Sequence, residues 1–201
     1  MSTVRPFEVS AWSQLDHCQP RTARFGRLGL AMLMLASMIW AVQGGTKDPK
    51  LDTTDTQLVL KGQYLFQFAK GNDWPSQSKS GPFVVAIHNK PALATELANK
   101  YGTNPIGAQP LTVQSIEDPS ELEAPHVLYT EAEGEALKDL LAAVKGQPTL
   151  VVTALQPELL SGVSFNLIKK GDNLRYEINF QDAEKRGILV GNRLASWAIQ
   201  R

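Results

Sequence analysis

Charged and amide side chains that could hold a ligand lie close together near the C-terminus of this 201-residue chain. Arg175 and Glu177 alternate along a predicted strand, and Asn192 and Arg193 stand at the start of a predicted helix. Arginine binds carboxylates through paired hydrogen bonds, and asparagine adds an amide donor and acceptor. These four residues therefore predict a site for a carboxylate-bearing or sugar ligand, or for a protein partner. Solvated strand and helix faces would explain the same residues, and this alternative stays open.

Two histidines also need an interpretation. His88 ends an apolar segment predicted as a buried strand, at the carboxyl edge where α/β proteins place their binding sites. We therefore add His88 to the candidate ligand- or partner-binding residues, although strand ends also carry polar residues for structural reasons. His126 follows Pro125 at the entry to another predicted strand, and we expect a structural role for it.

The sequence contains no motif of a familiar catalytic or cofactor site. G-x-G-x-x-G, the Walker phosphate loop, H-E-x-x-H, G-x-S-x-G and metal-spaced histidine or acidic clusters are all missing. The single cysteine, Cys18, lies near the N-terminus, so the rest of the chain can form no disulfide, thiolate nucleophile or cysteine-ligated metal site. We therefore predict a non-enzymatic protein without a cofactor or a metal. A hydrolase that uses His88 is the enzymatic alternative.

The N-terminal region predicts export from the cytoplasm. Residues 28–42 contain no charge and no proline, and Arg21, Arg24 and Arg27 precede them, so the N-terminal side is expected to stay in the cytoplasm. A spanning helix needs about 20 residues, so this shorter run suits a signal peptide. An uncleaved inner-membrane anchor is the alternative, because 27 residues precede the run. Both interpretations export residues 46–201 from the cytoplasm.

Four parts of the chain follow from this interpretation. Residues 1–27 are a cytoplasmic segment or a signal-peptide n-region, 28–44 the hydrophobic signal peptide or membrane anchor, 45–55 a solvated linker and 56–201 one α/β domain. From residue 45 onward the chain has 16 basic and 18 acidic residues, a net charge of −2. Nucleic acids require a basic face, so we expect no nucleic-acid partner.

Helical and strand patterns alternate within the domain. Short continuous apolar runs predict buried strands at 82–88 and 149–153, and further strands are predicted at 111–115 and 126–130. Helical periodicity and capping signals predict helices at 57–70, 91–101, from Thr130 to about 145, from Asn179 through 185, and at 192–200. Two alternating segments, 163–169 and 174–179, flank a Gly-Asp-Asn turn and predict a hairpin. We therefore predict an α/β fold: a mostly parallel sheet with helices on both faces plus a C-terminal antiparallel hairpin.

An acidic segment contains two predicted capping boxes. Asp118-Pro119-Ser120-Glu121 and Thr130-Glu131-Ala132-Glu133 each place a glutamate three residues after an N-cap residue. Seven carboxylates and no basic residue lie between Lys100 and Lys138. Carboxylates near helix N-termini are stabilised by about 0.3–1 kcal/mol, so capping explains this segment better than an acidic docking surface does.

Four segments together resemble one protein family. YLFQFAKGNDWP (64–75), PFVVAIHNKP (82–91), PHVLYT (125–130) and GVSFNLIKKGDNLRYEINFQDAEKRGI (162–188) are similar, in this order, to segments of the YfiR-like family. The resemblance spans about 56–201. Its most specific parts are the aromatic helix that closes in Ala69-Lys70 before Trp74-Pro75, and the hairpin of 165–167 with 176–179. Gly71-Asn72 replaces the apolar pair usual in the family, and His126 stands where many members have cysteine.

The resemblance implies a small periplasmic α/β protein that represses a membrane-bound diguanylate cyclase by binding its periplasmic sensor domain. Release of such a repressor raises cyclic di-GMP and promotes biofilm formation. Because the domain has no cysteine, the redox-controlled disulfide of some members is excluded. A periplasmic module that binds a small ligand or a cell-wall fragment is the alternative function. A homodimer is a further partner hypothesis, which exposed apolar residues on the first or last helix would favour.

Overall fold

The computed structural model describes residues 53–171 and 173–199. In this part of the chain the α-helices are Thr53–Gly71 (α1), Pro91–Tyr101 (α2), Gly134–Ala143 (α3), Phe180–Lys185 (α4) and Asn192–Trp197 (α5). The strands are Asn72–Asp73 (β1), Phe83–His88 (β2), Leu111–Ile116 (β3), Val127–Thr130 (β4), Leu150–Ala154 (β5), Phe165–Lys170 (β6), Asn173–Ile178 (β7) and Leu189–Val190 (β8). The predicted export segment 28–44 and the residues before it lie outside the described residues.

The main sheet has six strands in the order β3-β2-β4-β5-β6-β7. Strands β2 to β6 are mutually parallel, and β7 pairs antiparallel with β6 through the predicted hairpin. β1 and β8 form a separate antiparallel pair, which the sequence analysis did not predict. The predicted fold class is therefore confirmed.

Apolar side chains cover both faces of the main sheet. On one face α1, α2 and α5 pack over a core that includes Phe68, Tyr129 and Phe165. On the other face Leu140 and Val144, from α3 and its C-terminal end, pack against Leu128 and Val151 of β4 and β5. Burial on both faces explains why β4 and β5 appear in the sequence as continuous apolar runs rather than as alternating ones.

The capping prediction at Thr130 is wrong. Thr130 is the last residue of β4, and its Oγ1 accepts a hydrogen bond from the backbone N–H of Ala132 at 3.0 Å. α3 begins only at Gly134, which has a φ of +58°, and its N-cap residue Glu133 makes no side-chain capping bond. The box at Asp118 is present, but it opens a 3₁₀ turn at Pro119–Glu121 instead of an α-helix. Asn179 caps α4 as predicted, accepting from Asp182 N–H at 3.0 Å.

The two terminal helices of the domain also differ from the prediction. α1 begins at Thr53, inside the predicted linker, and α5 ends at Trp197 because the backbone becomes extended at Ala198. The backbone N–H of Ile199 then donates to Tyr176 O of β7 at 2.9 Å. Trp197, an apolar residue of the predicted last helix, is 60% exposed. None of the helices in residues 53–171 and 173–199 is long and apolar enough to cross a membrane.

Candidate functional site

A cleft between α1 and α5, beside β7, contains two of the predicted site residues. Its volume is about 310 Å³, and we call it the C-terminal cleft. Its lining includes Gln63, Tyr64, Gln67, Arg175, Arg193 and Trp197. The structure therefore brings Arg175 and Arg193 together, from a strand and a helix that are separate in the sequence.

Close backbone contact holds α5 against the end of α1. A Cβ atom added to Gly191 would lie 2.0 Å from the carbonyl oxygen of Gly71, so only glycine fits at this crossing. Leu194 is buried, and the Tyr176 hydroxyl donates to its carbonyl oxygen at 2.8 Å. Burial, with the nearby Tyr64, raises the pKa of Tyr176 to about 12, so this hydroxyl keeps its proton and stays a donor at neutral pH. These contacts fix the wall of the C-terminal cleft that carries Arg193 and Trp197.

Arg193 and Trp197 form the exposed part of this wall. The guanidinium carbon of Arg193 lies 4.9 Å from the centroid of the Trp197 ring, within the range of a cation–π contact. The contact holds a charged group and a large apolar group side by side in solvent. Arginine and tryptophan are both enriched among the residues that dominate protein–protein binding energies.

A second hollow lies on the other side of α5 and contains Glu177. Its volume is about 380 Å³, and Phe180, which is 49% exposed, also lines it. Glu177 itself is 3% exposed, so little of it is accessible from solvent. Asn192, the first residue of α5, is exposed and lies beside Arg193. Arg175 and Arg193 thus line the C-terminal cleft, Glu177 lines the second hollow, and Asn192 lines neither.

His88 is remote from these residues. It lies on β2, and three strands stand between β2 and β7. The two strands are therefore four strand spacings apart, or about 19 Å. His88 is 7% exposed, and its Nδ1 lies 3.0 Å from Thr130 Oγ1 while Nε2 lies 2.9 Å from Asn89 Nδ2. The structure therefore does not join His88 to the C-terminal candidates in one site.

His88 and Glu177 are instead the two ends of a buried polar row across one face of the sheet. Between them Thr130, Thr153 and Asn166 are register partners on adjacent strands, and all three are fully buried. Thr153 Oγ1 donates to Asn166 Oδ1 at 3.0 Å, and Asn166 Nδ2 donates to the carbonyl of Gln156 at 3.1 Å. These hydrogen bonds satisfy polar groups of the three central residues and fix the loop that follows β5.

A charged cluster that the sequence analysis missed lies at the carboxyl ends of β2 and β4. Glu131 follows β4 directly and accepts from Lys61 of α1 at 2.7 Å and from Lys90 at 2.6 Å. The Tyr129 hydroxyl also donates to Glu131, at 2.6 Å. Burial alone would raise the pKa of Glu131, but these hydrogen bonds outweigh it and hold the pKa at about 2. Glu131 is therefore ionised at any physiological pH.

One signal in the sequence could have revealed this cluster. Lys90 and Glu131 each come within two residues of the end of a predicted parallel strand, and such strand ends meet at one edge of the sheet. The glutamate at position 131 also fits a capping-box pattern, which competes with this position at the sheet edge. Lys61 could not have been assigned, because it lies 70 residues before Glu131 on a separate helix.

His126 has the structural role expected from its sequence position. Its Nδ1 accepts from Val84 N–H at 3.1 Å, and its Nε2 lies 2.7 Å from the carbonyl oxygen of Ser78, so Nε2 carries the proton. The ring also stacks on Phe83, with 4.3 Å between centroids.

Among residues 53–171 and 173–199, no group of three histidine, cysteine or acidic side chains is placed to hold a metal ion.

Comparison with known proteins gives one family assignment. A search of curated proteins found no significant match. Residues 59–198, well over half of the chain, match the family described as YfiR/HmsC-like. This match begins within α1 and ends one residue after α5, so it includes the C-terminal cleft, most of the lining of the second hollow and the charged cluster at the strand ends. The chain belongs to the YfiR/HmsC-like family.

Proposed function

We propose that this protein is a periplasmic regulatory binding protein that represses an inner-membrane diguanylate cyclase, or a related membrane sensor, and thereby controls cyclic di-GMP and biofilm formation. The observation that carries the proposal is the family match over residues 59–198. The family is a regulatory one of the periplasm, and the partner of a regulator of this kind is a membrane sensor with a periplasmic domain. The predicted signal peptide at 28–44 supports the same location.

The surface around α5 is the part of the protein that best fits a protein partner. Trp197 and Phe180 are 60% and 49% exposed, and they flank the helix on its two sides. Arg175 and Arg193 supply charge beside Trp197. Interfaces typically combine a few aromatic and arginine anchors with a polar rim, which is the arrangement of this surface. We therefore assign partner binding to Trp197, Phe180, Arg193 and Arg175.

Two measurements test the proposal. Deletion of the gene should raise cyclic di-GMP in cells that normally express the protein, and the wild-type gene should restore the lower level. An affinity-tagged copy of the full chain should then co-purify an inner-membrane protein that carries a diguanylate cyclase domain. Unchanged cyclic di-GMP after deletion, with no membrane partner recovered, would refute the repressor function.

A second candidate function is the binding of a small ligand or cell-wall fragment. The C-terminal cleft favours it, because about 310 Å³ is within the range of small-molecule sites and two arginines line the walls. Arg175 and Arg193 would hold a carboxylate of the ligand, whereas Glu177 lines the other hollow. A thermal-shift screen with muropeptides and amino acids tests this function, since a ligand at about 100 times its dissociation constant adds about 2.7 kcal/mol of stability.

A homodimer through α5 would use the same exposed residues. Trp197 of one copy would be buried by the other, so the oligomeric state and the access of a partner would be linked. Sedimentation of the purified full chain over a range of concentrations tests this hypothesis. A monomer at all concentrations would leave the whole α5 surface available to the membrane partner.

A further inference from the structure

A cavity lies at the point where the order of the parallel strands reverses. The chain runs from β2 outward to β3 and then returns to β4 on the other side of β2, so the connections that leave β2 and β4 diverge. Open α/β sheets bind ligands in the crevice that this divergence creates, at the carboxyl ends of the strands. Here the crevice is a cavity of about 380 Å³, within the usual range of small-molecule sites. We call it the switch-point cavity.

The charged groups around the switch-point cavity have an excess of one positive charge. Lys61 and Lys90 share the single carboxylate of Glu131, and all three line the cavity. Each ammonium group carries three N–H donors, and its bond to Glu131 uses one of them. Lys61 is held in place, since only 13% of its side chain is exposed, whereas Lys90 is 44% exposed and can turn toward a ligand.

The first turn of α2 also faces this cavity. Pro91, Ala92 and Leu93 are part of its lining, and the N-cap residue Lys90 makes no side-chain capping bond. Pro91 has no N–H, and Leu93 N–H donates to Lys90 O at 3.0 Å, so among the first three residues of α2 it is Ala92 that supplies an N–H at this end. The helix dipole places partial positive charge there as well. A negative group in the cavity would therefore interact with the helix end and with two ammonium groups at once.

The uncharged part of the lining combines aliphatic and amide side chains. Leu58 of α1 and Leu93 of α2 supply aliphatic surface, and Gln57 and Asn89 supply amides. Asn89 has a φ of +52°, a left-handed conformation that turns the chain sharply between β2 and α2. This turn brings Lys90 back over the strand end, where it reaches Glu131.

We infer that the switch-point cavity is a binding site for a small molecule with one anionic group, a carboxylate or a phosphate, attached to a short apolar body. The anion lies between Lys61, Lys90 and the first turn of α2, and the apolar body lies against Leu58 and Leu93. Glu131 orients the two lysines and does not contact the anion. The site is distinct from the C-terminal cleft and goes beyond the partner-binding function proposed above.

The test uses the purified ¹⁵N-labelled full chain and two small probes, methyl phosphate and propionate. Each is titrated at constant ionic strength against chloride, and the amide signals of Asn89, Lys90, Ala92 and Leu93 are followed by NMR. We expect saturable shifts at these amides with dissociation constants of about 1–10 mM, a normal affinity for fragments of this size. A probe preference of about tenfold identifies the class of anion; equal binding means that the site recognises the negative charge alone.

Two variants and a matched control locate the site. Lys90→Gln should weaken binding of the preferred probe about fivefold or more, because one of the two ammonium groups is lost. Lys138→Gln makes the same change at an exposed lysine on α3, outside the cavity, and should change the affinity less than about twofold. Ala92→Glu puts a tethered carboxylate at the helix N-terminus, where it is tolerated, and should abolish saturable binding while the melting temperature is retained.

Three results would overturn the inference. The first is that both probes shift these amides no more than chloride does. The second is that Lys138→Gln weakens binding as much as Lys90→Gln. The third is that Ala92→Glu remains folded and binds the probe with wild-type affinity. None of these measurements involves a membrane partner, so the cavity and the repressor function succeed or fail separately.

Discussion

The guanidinium of Arg193 lies over the indole of Trp197, with 4.9 Å between the guanidinium carbon and the ring centroid, and the tryptophan remains 60% exposed. Exposure of so large an apolar side chain has no benefit for the stability of the isolated domain. Its position on the wall of the C-terminal cleft suggests that a partner covers it. This pair gives the most direct test of the proposed interface.

Trp197→Ala should weaken binding of the membrane partner at least about tenfold, because a large apolar anchor is removed from the interface. The free energy of unfolding should change by less than about 0.5 kcal/mol, since the side chain is exposed. Co-purification and cyclic di-GMP levels measure the effect. Leu189→Ala is the control, because Leu189 is 68% exposed on the small β1–β8 sheet and lies outside the cleft. Equal effects of the two substitutions would argue against the α5 surface.

Gly191→Ala should displace α5 from α1, because the added Cβ atom would lie 2.0 Å from the carbonyl oxygen of Gly71. We expect a loss of about 1–3 kcal/mol of stability and weaker partner binding, since the C-terminal cleft changes shape. Gly62→Ala is the matched control inside α1, where the nearest atoms to a new Cβ lie at 3.8 Å. That change should stabilise the protein by about 0.5–1 kcal/mol. Urea denaturation distinguishes the two variants. If both are destabilised, a methyl group added on or against α1 is harmful in general, and the contact of Gly191 with Gly71 is not the specific cause.

Glu131→Gln should reduce stability at neutral pH and flatten its dependence on pH. The folded-state pKa of Glu131 is about 2, below the reference value of 4.5, so its contribution is complete above pH 4.5 and is lost as the pH falls toward 2. The contribution is at most about 3 kcal/mol, because part of the carboxylate remains in contact with water. Denaturation measured from pH 6 to pH 2 should show this loss in the wild type and much less in the variant. Glu133→Gln, which removes an exposed carboxylate nearby, should behave as the wild type does.

Arg186→Ala should be strongly destabilising. Its guanidinium donates to Asp182 Oδ2 at 2.8 Å, to Gly162 O at 2.9 Å and to Val144 O at 3.3 Å, with 10% of the side chain exposed. Removal leaves the carboxylate of Asp182, whose side chain is only 12% exposed, with one partner fewer, and it leaves two part-buried carbonyls without this donor, at a cost of about 3 kcal/mol. Lys138→Ala, at an exposed ion pair, should cost less than about 0.5 kcal/mol. If both variants unfold at the same urea concentration, Arg186 does not hold α4 to the end of α3.

The sequence was sufficient to predict the main strands, because β2, β4 and β5 are buried on both faces and must be continuously apolar. It was insufficient for the end of α5, which is set by the bond between Ile199 N–H and Tyr176 O rather than by helical periodicity. The strands β1 and β8 have two residues each, too few for any pattern to show.

The candidate site was predicted less completely than the fold. Arg175 and Arg193 were chosen for their chemistry, and the fold places them in one cleft, but their role in binding stays a prediction. Lys61, Lys90 and Glu131 come together from three separate segments, and their contact depends on tertiary packing that no local pattern encodes. Conversely, His88 lies on a buried strand and Glu177 on the partly exposed edge strand β7, and sequence alone does not reveal that both side chains are enclosed.

β7 is an edge strand of the main sheet, and two of its carbonyl groups already accept hydrogen bonds from outside the sheet. Tyr64 donates its hydroxyl to Leu174 O at 2.8 Å, and the segment after α5 donates Ile199 N–H to Tyr176 O. Unpaired N–H and C=O groups on an edge strand can pair with a strand of another chain, and such pairing leads to aggregation. A binding partner at this end of the molecule therefore has to recognise side chains and cannot simply extend the sheet, and loss of the last few residues would expose a surface prone to self-assembly.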